Sequence, residues 1–138
     1  MKLTIRKKIS PIRDGLTKKT IEKKSRLILI NLIKMSIFKN SKNISCYVSQ
    51  DSEVDTHRLI KLIIQSKRKV IVPFVDKEMN CAELFDFNKL MRGKFGILEP
   101  KEKKRFNKDM LDLIIIPGVV FDRKGNRIGR GKGYYDKF

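Results

Sequence analysis

The sequence is poor in several residue types, and each shortage excludes a class of protein. It has no tryptophan, one histidine and two cysteines, Cys46 and Cys81. A single histidine without a Cys-x-x-Cys pair fits no common zinc motif, and two cysteines are too few for the disulfide framework of a small secreted domain. No apolar run approaches the roughly 20 residues of a membrane span. We therefore expect a cytoplasmic protein without a membrane partner, whose cysteines are ordinary, partly buried thiols.

Acidic residues are also scarce, with 15 against 33 lysines and arginines, which gives a net charge of +18. Such an excess attracts anions, whether nucleotides, nucleic acid or anionic lipid. The basic residues are spread along the chain, and Ala82 is the only alanine, so we attribute part of the excess to codon drift toward A and T. Without tryptophan and with three tyrosines, the chain lacks the stacking platforms of a single-strand binder. An anionic small substrate is therefore favoured over nucleic acid.

Apolar residues make up 41% of the 138 residues, enough for one core, and we expect a single domain over residues 1–138. The first segment, Lys2–Arg13, is predicted to be a helix that Pro11 ends or kinks. A longer helix is predicted from the N-cap Thr17 to about Phe38. The other predicted elements are a strand at Ile44–Val48, a helix after Asp55 or Thr56 through Ile64, a strand at Lys69–Phe74, an edge strand at Glu83–Phe87 and a loop at Arg92–Pro100.

The most apolar predicted strand is Leu111–Ile116, an unbroken run followed by Pro117 and Gly118. Such a run is typical of a central parallel strand that is buried on both faces. Strands that alternate with helices indicate the α/β class. We expect a three-layer α/β/α domain with a mainly parallel sheet.

The stretch with the clearest chemistry is Gly125–Asp136, which reads GNRIGRGKGYYD. Three glycines at alternate positions, Gly129, Gly131 and Gly133, leave the backbone N–H groups open to a phosphate. Arg130 and Lys132 between them can neutralise an anion. The pattern matches neither the P-loop nor the dinucleotide fingerprint. From the residues alone, it indicates an anion-binding loop or a flexible turn with solvated charges.

Residues 114–136, IIIPGVVFDRKGNRIGRGKGYYD, closely resemble the C-terminal signature of 5-formyltetrahydrofolate cyclo-ligases, also called methenyltetrahydrofolate synthetases. Weaker similarities are KLTIR at residues 2–6, EVDT at 53–56 and FGILEP at 95–100. The resemblance implies the cyclisation of 5-formyltetrahydrofolate, with or without a polyglutamate tail, to 5,10-methenyltetrahydrofolate. In this reaction ATP phosphorylates the formyl oxygen, N10 closes the ring, and ADP and phosphate are released. Mg²⁺ is the implied cofactor and ATP the co-substrate.

The resemblance also implies which residues form the site. Arg130 and Lys132 would be catalytic, because they would neutralise the transferred phosphoryl group. The implied ATP-binding residues are Lys2, Arg6, Arg127, Ile128, Gly129, Arg130, Gly131, Lys132, Gly133, Tyr134 and Tyr135. The implied folate-binding residues are Val48, Glu53, Arg130, Gly131, Lys132, Gly133 and Tyr134, with Phe95 as a weaker candidate for the pocket wall. Asp136 would be the Mg²⁺ ligand.

The sequence departs from the family at its end, because the family continues past the YYD motif whereas this chain ends at Phe138. We therefore expect an α/β domain that is incomplete at its C-terminus and lacks the family's second acidic Mg²⁺ ligand. A monomer is expected. Two alternative functions stay open: a basic module that binds a nucleotide or nucleic acid without turnover, and a degenerate, inactive family member.

Overall fold

A computed structural model describes residues 1–130 and 133–138 of the chain. In that part, short 3-10 helices lie at Phe87–Lys89, Lys94–Gly96 and Lys108–Met110. The α-helices are α1 (Lys2–Asp14), α2 (Lys18–Lys34), α3 (Ser36–Asn40), α4 (His57–Gln65) and α5 (Tyr134–Lys137). The strands are β1 (Asn43–Cys46), β2 (Lys69–Val75), β3 (Met79–Leu84), β4 (Leu90–Arg92), β5 (Leu98–Pro100), β6 (Leu113–Ile115), β7 (Val120–Phe121) and β8 (Arg127–Ile128).

A four-stranded sheet with the order β3-β2-β1-β6 forms the centre of the fold. Strand β1 pairs in parallel with β2 and with β6, whereas β3 runs antiparallel to β2. Two small hairpins, β4-β5 and β7-β8, lie outside this sheet. The core consists of apolar side chains from β1, β2, β3 and α4, joined by Phe38 from α3. The predicted α/β class with a mainly parallel sheet is confirmed.

The first two helices begin as predicted but end elsewhere. Pro11 lies inside α1 and does not end it, and α1 continues to Asp14. Thr17 caps α2, since its side chain accepts a hydrogen bond from the Thr20 N–H. The prediction that this helix reaches Phe38 is wrong, because Met35 adopts an extended conformation and α3 starts after it. The break redirects the chain so that Phe38 enters the core.

The prediction for residues 92–100 as a loop is wrong in part, because β5 occupies Leu98–Pro100 and pairs with β4. Strands of three residues are too short to show a period of two in the sequence. The predicted edge strand does lie at the edge of the sheet, but it spans Met79–Leu84. Strand β2 continues past Pro73 to Val75. The proline does not interrupt the pairing with β1, because that pairing ends at Ile71.

The prediction of a central strand at Leu111–Ile116 is also wrong. Strand β6 is shorter and lies at the edge of the sheet in the described part of the chain. The side chain of Ile114 is 43% exposed there. Its pairing with β1 is parallel, as the apolar run indicated. The apolar run in the sequence therefore predicts that the strand pairs in parallel, but it does not predict how many strands lie beside it.

Candidate active site

The strand order places a crevice at the carboxyl ends of β1 and β6. From β1 the chain moves to β2 on one side, and it later returns to β6 on the other side of β1. In open α/β sheets, ligands bind at this reversal of strand order, outside the carboxyl ends of the strands. The segments that follow these two strands, at Tyr47–Val48 and Pro117–Gly118, both line a cavity at this position. The fold thus selects the location of the site independently of any sequence motif.

Two adjoining cavities occupy this end of the sheet. The small cavity has a volume of about 420 Å³ and has apolar walls that include Val48, Phe74 and Phe95. The large cavity has a volume of about 990 Å³ and is bounded by α1 and by the start of α2. Both cavities share one wall, formed by Arg6, Arg13, Gln50, Asp51, Glu53 and Arg130. Three arginines and two carboxylates therefore face the space where two ligands would meet.

Glu53 is the buried carboxylate of the shared wall. It lies in the loop after β1, where its Oε1 accepts a hydrogen bond of 2.9 Å from the Gln50 N–H. Only 10% of its side chain is exposed. Burial raises the pKa of Glu53, while the Gln50 N–H, Arg130 and Arg13 oppose this rise. The charges of Arg130 and Arg13 thus offset part of the effect of burial on this carboxylate.

Arg127 makes hydrogen bonds on both sides of the Gly-rich loop. Its Nη1 donates to the Pro117 carbonyl at 2.9 Å, and its Nη2 donates to Asp136 Oδ1 at 2.9 Å. The guanidinium passes so close to Gly129 that a Cβ there would lie 2.6 Å from Nη1. A side chain at this position would therefore displace Arg127. Arg127 therefore connects β8 to the Pro117 carbonyl and to Asp136, while its predicted contact with phosphate stays a prediction.

Helix α1 is attached to the loop and to the body by polar contacts. Arg6 Nε donates to the Gly129 carbonyl at 2.6 Å, across 123 residues of sequence. Near the other end of the helix, Ser52 donates a short hydrogen bond to the carboxylate of Asp14. No residue of α1 is buried. The helix therefore lies over the cavities as a wall that is held at both ends by hydrogen bonds.

Arg130 connects the two halves of the predicted site. Its Nη2 lies 3.9 Å from Glu53 Oε2, and 44% of its side chain is exposed. At this distance the pair is electrostatic and not a hydrogen bond, so Arg130 is free to turn toward an anion. Tyr134 on α5 lies opposite Phe95, with ring centroids 6.3 Å apart. Burial raises the pKa of the neighbouring Tyr135 phenol, which therefore stays protonated.

Most of the sequence-predicted site residues come together. Those that line the small cavity are Val48, Glu53, Arg6, Phe95, Arg127, Gly129, Arg130, Gly133, Tyr134, Tyr135 and Asp136. Lys2 is exposed at the start of α1, and Ile128 is half-buried in β8; neither belongs to the lining of the two cavities. Gly131 and Lys132 lie outside the described residues.

Asp136 was the predicted metal ligand, and this role stays a prediction. Its carboxylate is largely exposed and bound to Arg127. Among residues 1–130 and 133–138, no group of three or more histidine, cysteine, aspartate or glutamate side chains is placed to hold a metal ion. Mg²⁺ is commonly held by one or two carboxylates together with substrate phosphates and water. The described residues fit that mode and not a binding site built from protein ligands alone.

Sequence reasoning missed several residues of the site. Arg13 appeared in the sequence analysis only as the last residue of the first predicted helix, although it lines both cavities. Glu99 was part of the FGILEP similarity without a role. Its buried carboxylate accepts a hydrogen bond of 2.8 Å from the Val75 N–H and thereby joins β5 to β2. The sequence signal for Glu99 was a lone carboxylate in an apolar stretch, beside a proline.

Comparison with known proteins agrees with the geometry. The sequence model of the 5-formyltetrahydrofolate cyclo-ligase family matches residues 1–138. The mouse 5-formyltetrahydrofolate cyclo-ligase is 33% identical over 84% of this chain and 62% of its own length. The Arabidopsis thaliana relative, named as mitochondrial, is 34% identical over 73% of this chain and 43% of its own length.

A solved structure gives the same result. The NMR structure of the Aquifex aeolicus 5,10-methenyltetrahydrofolate synthetase is 35% identical, with a TM-score of 0.88, over 99% of this chain and 70% of that protein. The chain thus spans between about two fifths and seven tenths of the length of these three relatives. On the match over all 138 residues, the chain belongs to the 5-formyltetrahydrofolate cyclo-ligase family, a family of ligases.

Proposed function

We propose that the chain catalyses the ATP- and Mg²⁺-dependent conversion of 5-formyltetrahydrofolate to 5,10-methenyltetrahydrofolate, with release of ADP and phosphate. The observation that carries the proposal is the shared wall, where Glu53 and Arg130 lie 3.9 Å apart. Glu53 is suited to the N–H donors of the folate, and Arg130 is suited to the phosphate of ATP. Two ligands bound on either side of this wall would meet at their reactive ends, which is what a phosphoryl transfer between them requires.

The folate is assigned to the small cavity. Its apolar walls, with Val48, Phe74 and Phe95, suit a flat pterin ring. The ionised carboxylate of Glu53 accepts hydrogen bonds from the N–H donors at the edge of the pterin. Because Glu53 is buried, these bonds form in a low dielectric and are strong.

The phosphates of ATP are assigned to the region of Arg6 and Arg130. Arg130 neutralises charge on the transferred phosphoryl group, and the formyl oxygen attacks the γ-phosphorus as ADP leaves. N10 of the folate then attacks the activated carbon and loses its proton to the departing phosphate, the C–O bond breaks, and phosphate carries away the formyl oxygen as the ring closes. These steps need positioning and charge neutralisation more than covalent chemistry by the protein. The same role for Lys132 stays a prediction from the sequence.

Asp136 would hold Mg²⁺ if its hydrogen bond to Arg127 is exchanged for the ion. The ion would supply positive charge to the phosphate oxygens. Three properties stay predictions: a cytoplasmic location, a monomeric state and a single domain over residues 1–138. No helix in the described part of the chain is long and apolar enough to cross a membrane.

The experiment is an absorbance assay for 5,10-methenyltetrahydrofolate with this 138-residue chain, 5-formyltetrahydrofolate, ATP and Mg²⁺. We expect product only when ATP and Mg²⁺ are both present. Arg130→Ala should abolish turnover, whereas Arg123→Ala, an exposed arginine in the turn before the loop, should leave it unchanged. Folate binding without product would instead support the inactive family member. Salt-sensitive binding of random DNA that ATP does not affect would support the binding module.

A further inference from the structure

Arg13 carries a buried hydrogen-bond donor without an acceptor. Its Nε is the one buried side-chain nitrogen or oxygen in residues 1–130 and 133–138 that has no hydrogen-bond partner. Asp14 Oδ1 lies 4.0 Å away, too far for a hydrogen bond, and it already accepts from Ser52. Leaving a donor buried and unpaired is costly, so native structures rarely do so unless a ligand or water completes the bond.

The rest of the Arg13 guanidinium is also held loosely. Its Nη1 reaches the Gly118 carbonyl only at 3.4 Å, the long end of the hydrogen-bond range. Only 16% of the side chain is exposed. By contrast, Arg6 and Arg127 make hydrogen bonds of 2.6 and 2.9 Å to backbone carbonyls. Arg13 is therefore a buried cation of the site whose donors are poorly used by the protein.

Arg13 and Glu53 both line the wall that the two cavities share. Its charge favours the ionised form of Glu53, together with Arg130. The other titratable groups that act on Glu53 or feel its charge are Asp51, Tyr47 and Tyr135. A carboxylate acceptor and a guanidinium donor thus belong to the same wall of the apolar cavity.

The edge of a pterin ring presents the complementary pattern. Its 2-amino group and N3–H are donors, and the adjacent carbonyl at C4 is an acceptor, in the same order that guanine presents N2, N1 and O6. Arginine is the commonest specific partner of guanine O6 in protein–DNA complexes. A Glu–Arg pair can therefore satisfy all three groups, whereas Glu53 alone leaves the carbonyl oxygen without a donor.

We propose that Arg13 is a folate-binding residue whose guanidinium donates a hydrogen bond to the C4 carbonyl of the pterin, from the same cavity wall as Glu53. This inference rests on the proposed function and adds a specificity residue to the same site. Arg130 is assigned to the phosphates of ATP, so the two arginines bind different ligands. Arg13 donates a hydrogen bond to the edge of the pterin, and Arg130 neutralises charge on the transferred phosphoryl group.

The test measures the equilibrium binding of two ligands to the 138-residue chain: 5-formyltetrahydrofolate and its 4-amino analogue, in which an amino group replaces the C4 carbonyl oxygen. The variant is Arg13→Met, which keeps the length of the stem but removes every donor. The matched control is Lys8→Met, an exposed cation on the same helix. A non-hydrolysable ATP analogue and the thermal unfolding midpoint report whether each variant retains its fold and its nucleotide site.

We expect Arg13→Met to weaken the binding of 5-formyltetrahydrofolate about 10- to 100-fold, the loss of a hydrogen bond from a charged donor. Binding of the 4-amino analogue and of the ATP analogue should change little, and Lys8→Met should behave as wild type. An equal loss for both folates would show that Arg13 only holds the wall in place, and an unchanged affinity would show that it does not bind folate; either result overturns the inference. If the wild-type chain binds neither folate, the proposed function itself fails and the inference with it.

Discussion

Replacement of Glu53 by glutamine separates the function of this side chain from its effect on stability. Glutamine has nearly the same shape, and its amide oxygen can still accept the 2.9 Å hydrogen bond from the Gln50 N–H. The substitution therefore removes the charge and little else. It also removes the pairing partner of Arg130, but that side chain is 44% exposed and can turn toward water.

The magnitude of the binding effect follows from the type of hydrogen bond that is lost. A hydrogen bond to a charged group contributes about 1.5–3 kcal/mol, and each 1.4 kcal/mol is about tenfold in affinity. A neutral amide also presents an N–H group to the pterin donors, which repel it. We therefore expect Glu53→Gln to weaken the binding of 5-formyltetrahydrofolate by about 10- to 150-fold.

The effect on stability has the opposite sign. Burial raises the pKa of Glu53, so the folded state binds this proton more tightly than the unfolded state does. Stability from a raised carboxyl pKa is present below the unfolded pKa and is lost as the pH rises through the folded pKa. At neutral pH the wild type therefore carries the cost of a buried charge, which glutamine does not carry. Glu53→Gln should raise the unfolding midpoint at neutral pH, and the gain should vanish in acid.

The assay pairs folate titration with thermal unfolding at neutral and at acidic pH, and Glu102→Gln, an exposed carboxylate, is the control. A variant that binds folate as well as the wild type would refute the role of the carboxylate. A variant that unfolds at a lower temperature at neutral pH would refute the electrostatic reasoning. The second result would mean that the attraction of Arg13 and Arg130 outweighs the cost of burial.

Three further predictions concern the scaffold. Thr17→Ala removes the cap that accepts from the Thr20 N–H and should cost about 1 kcal/mol in urea unfolding. Phe38→Ala empties a core position that is 2% exposed and should cost about 3–5 kcal/mol, enough to shift the urea midpoint strongly. Hydrogen bonds from the Asn43 and Lys42 N–H groups lower the pKa of Asp112, so its contribution is lost as the pH falls through the folded pKa. Asp112→Asn should therefore flatten the loss of stability in acid, as measured by unfolding across the acidic range.

The sequence predicted those parts of the fold that depend on local chemistry. The start of α2 follows from one side chain, Thr17, which bonds to a backbone N–H three residues later. The end of α2 could not be predicted in this way. The break at Met35 is favoured by the burial of Phe38 between strands and helices that are far apart in the sequence. The edge position of β6 likewise depends on which other strands pair with it. The apolar run does not determine how many such neighbours there are.

The candidate site divides in the same way. The Gly-rich loop was found because its residues are contiguous, and its resemblance to a family gave roles to Glu53 and Arg130. The contacts that give those residues their environment are long-range, such as Arg6 to the Gly129 carbonyl. The predicted binding of phosphate by Arg127 stays a prediction, and the structure adds hydrogen bonds to the Pro117 carbonyl and to Asp136 that the motif did not indicate. A motif thus indicates which residues are needed, whereas geometry decides what each of them does.

The separation between the core and the site explains why function and stability should respond independently to substitution. The core is formed by β1, β2, β3, α4 and Phe38, whereas no residue of α1 is buried. Helix α1 therefore contributes little apolar burial, and its position depends on polar contacts with the loops that line the cavities. Substitution of Arg13 or Glu53 changes ligand contacts but leaves the core and the hydrogen bonds of Arg6 and Asp14 that hold α1 intact. Variants of Arg13 and Glu53 should then lose affinity without losing the fold, as the binding and unfolding measurements together will test.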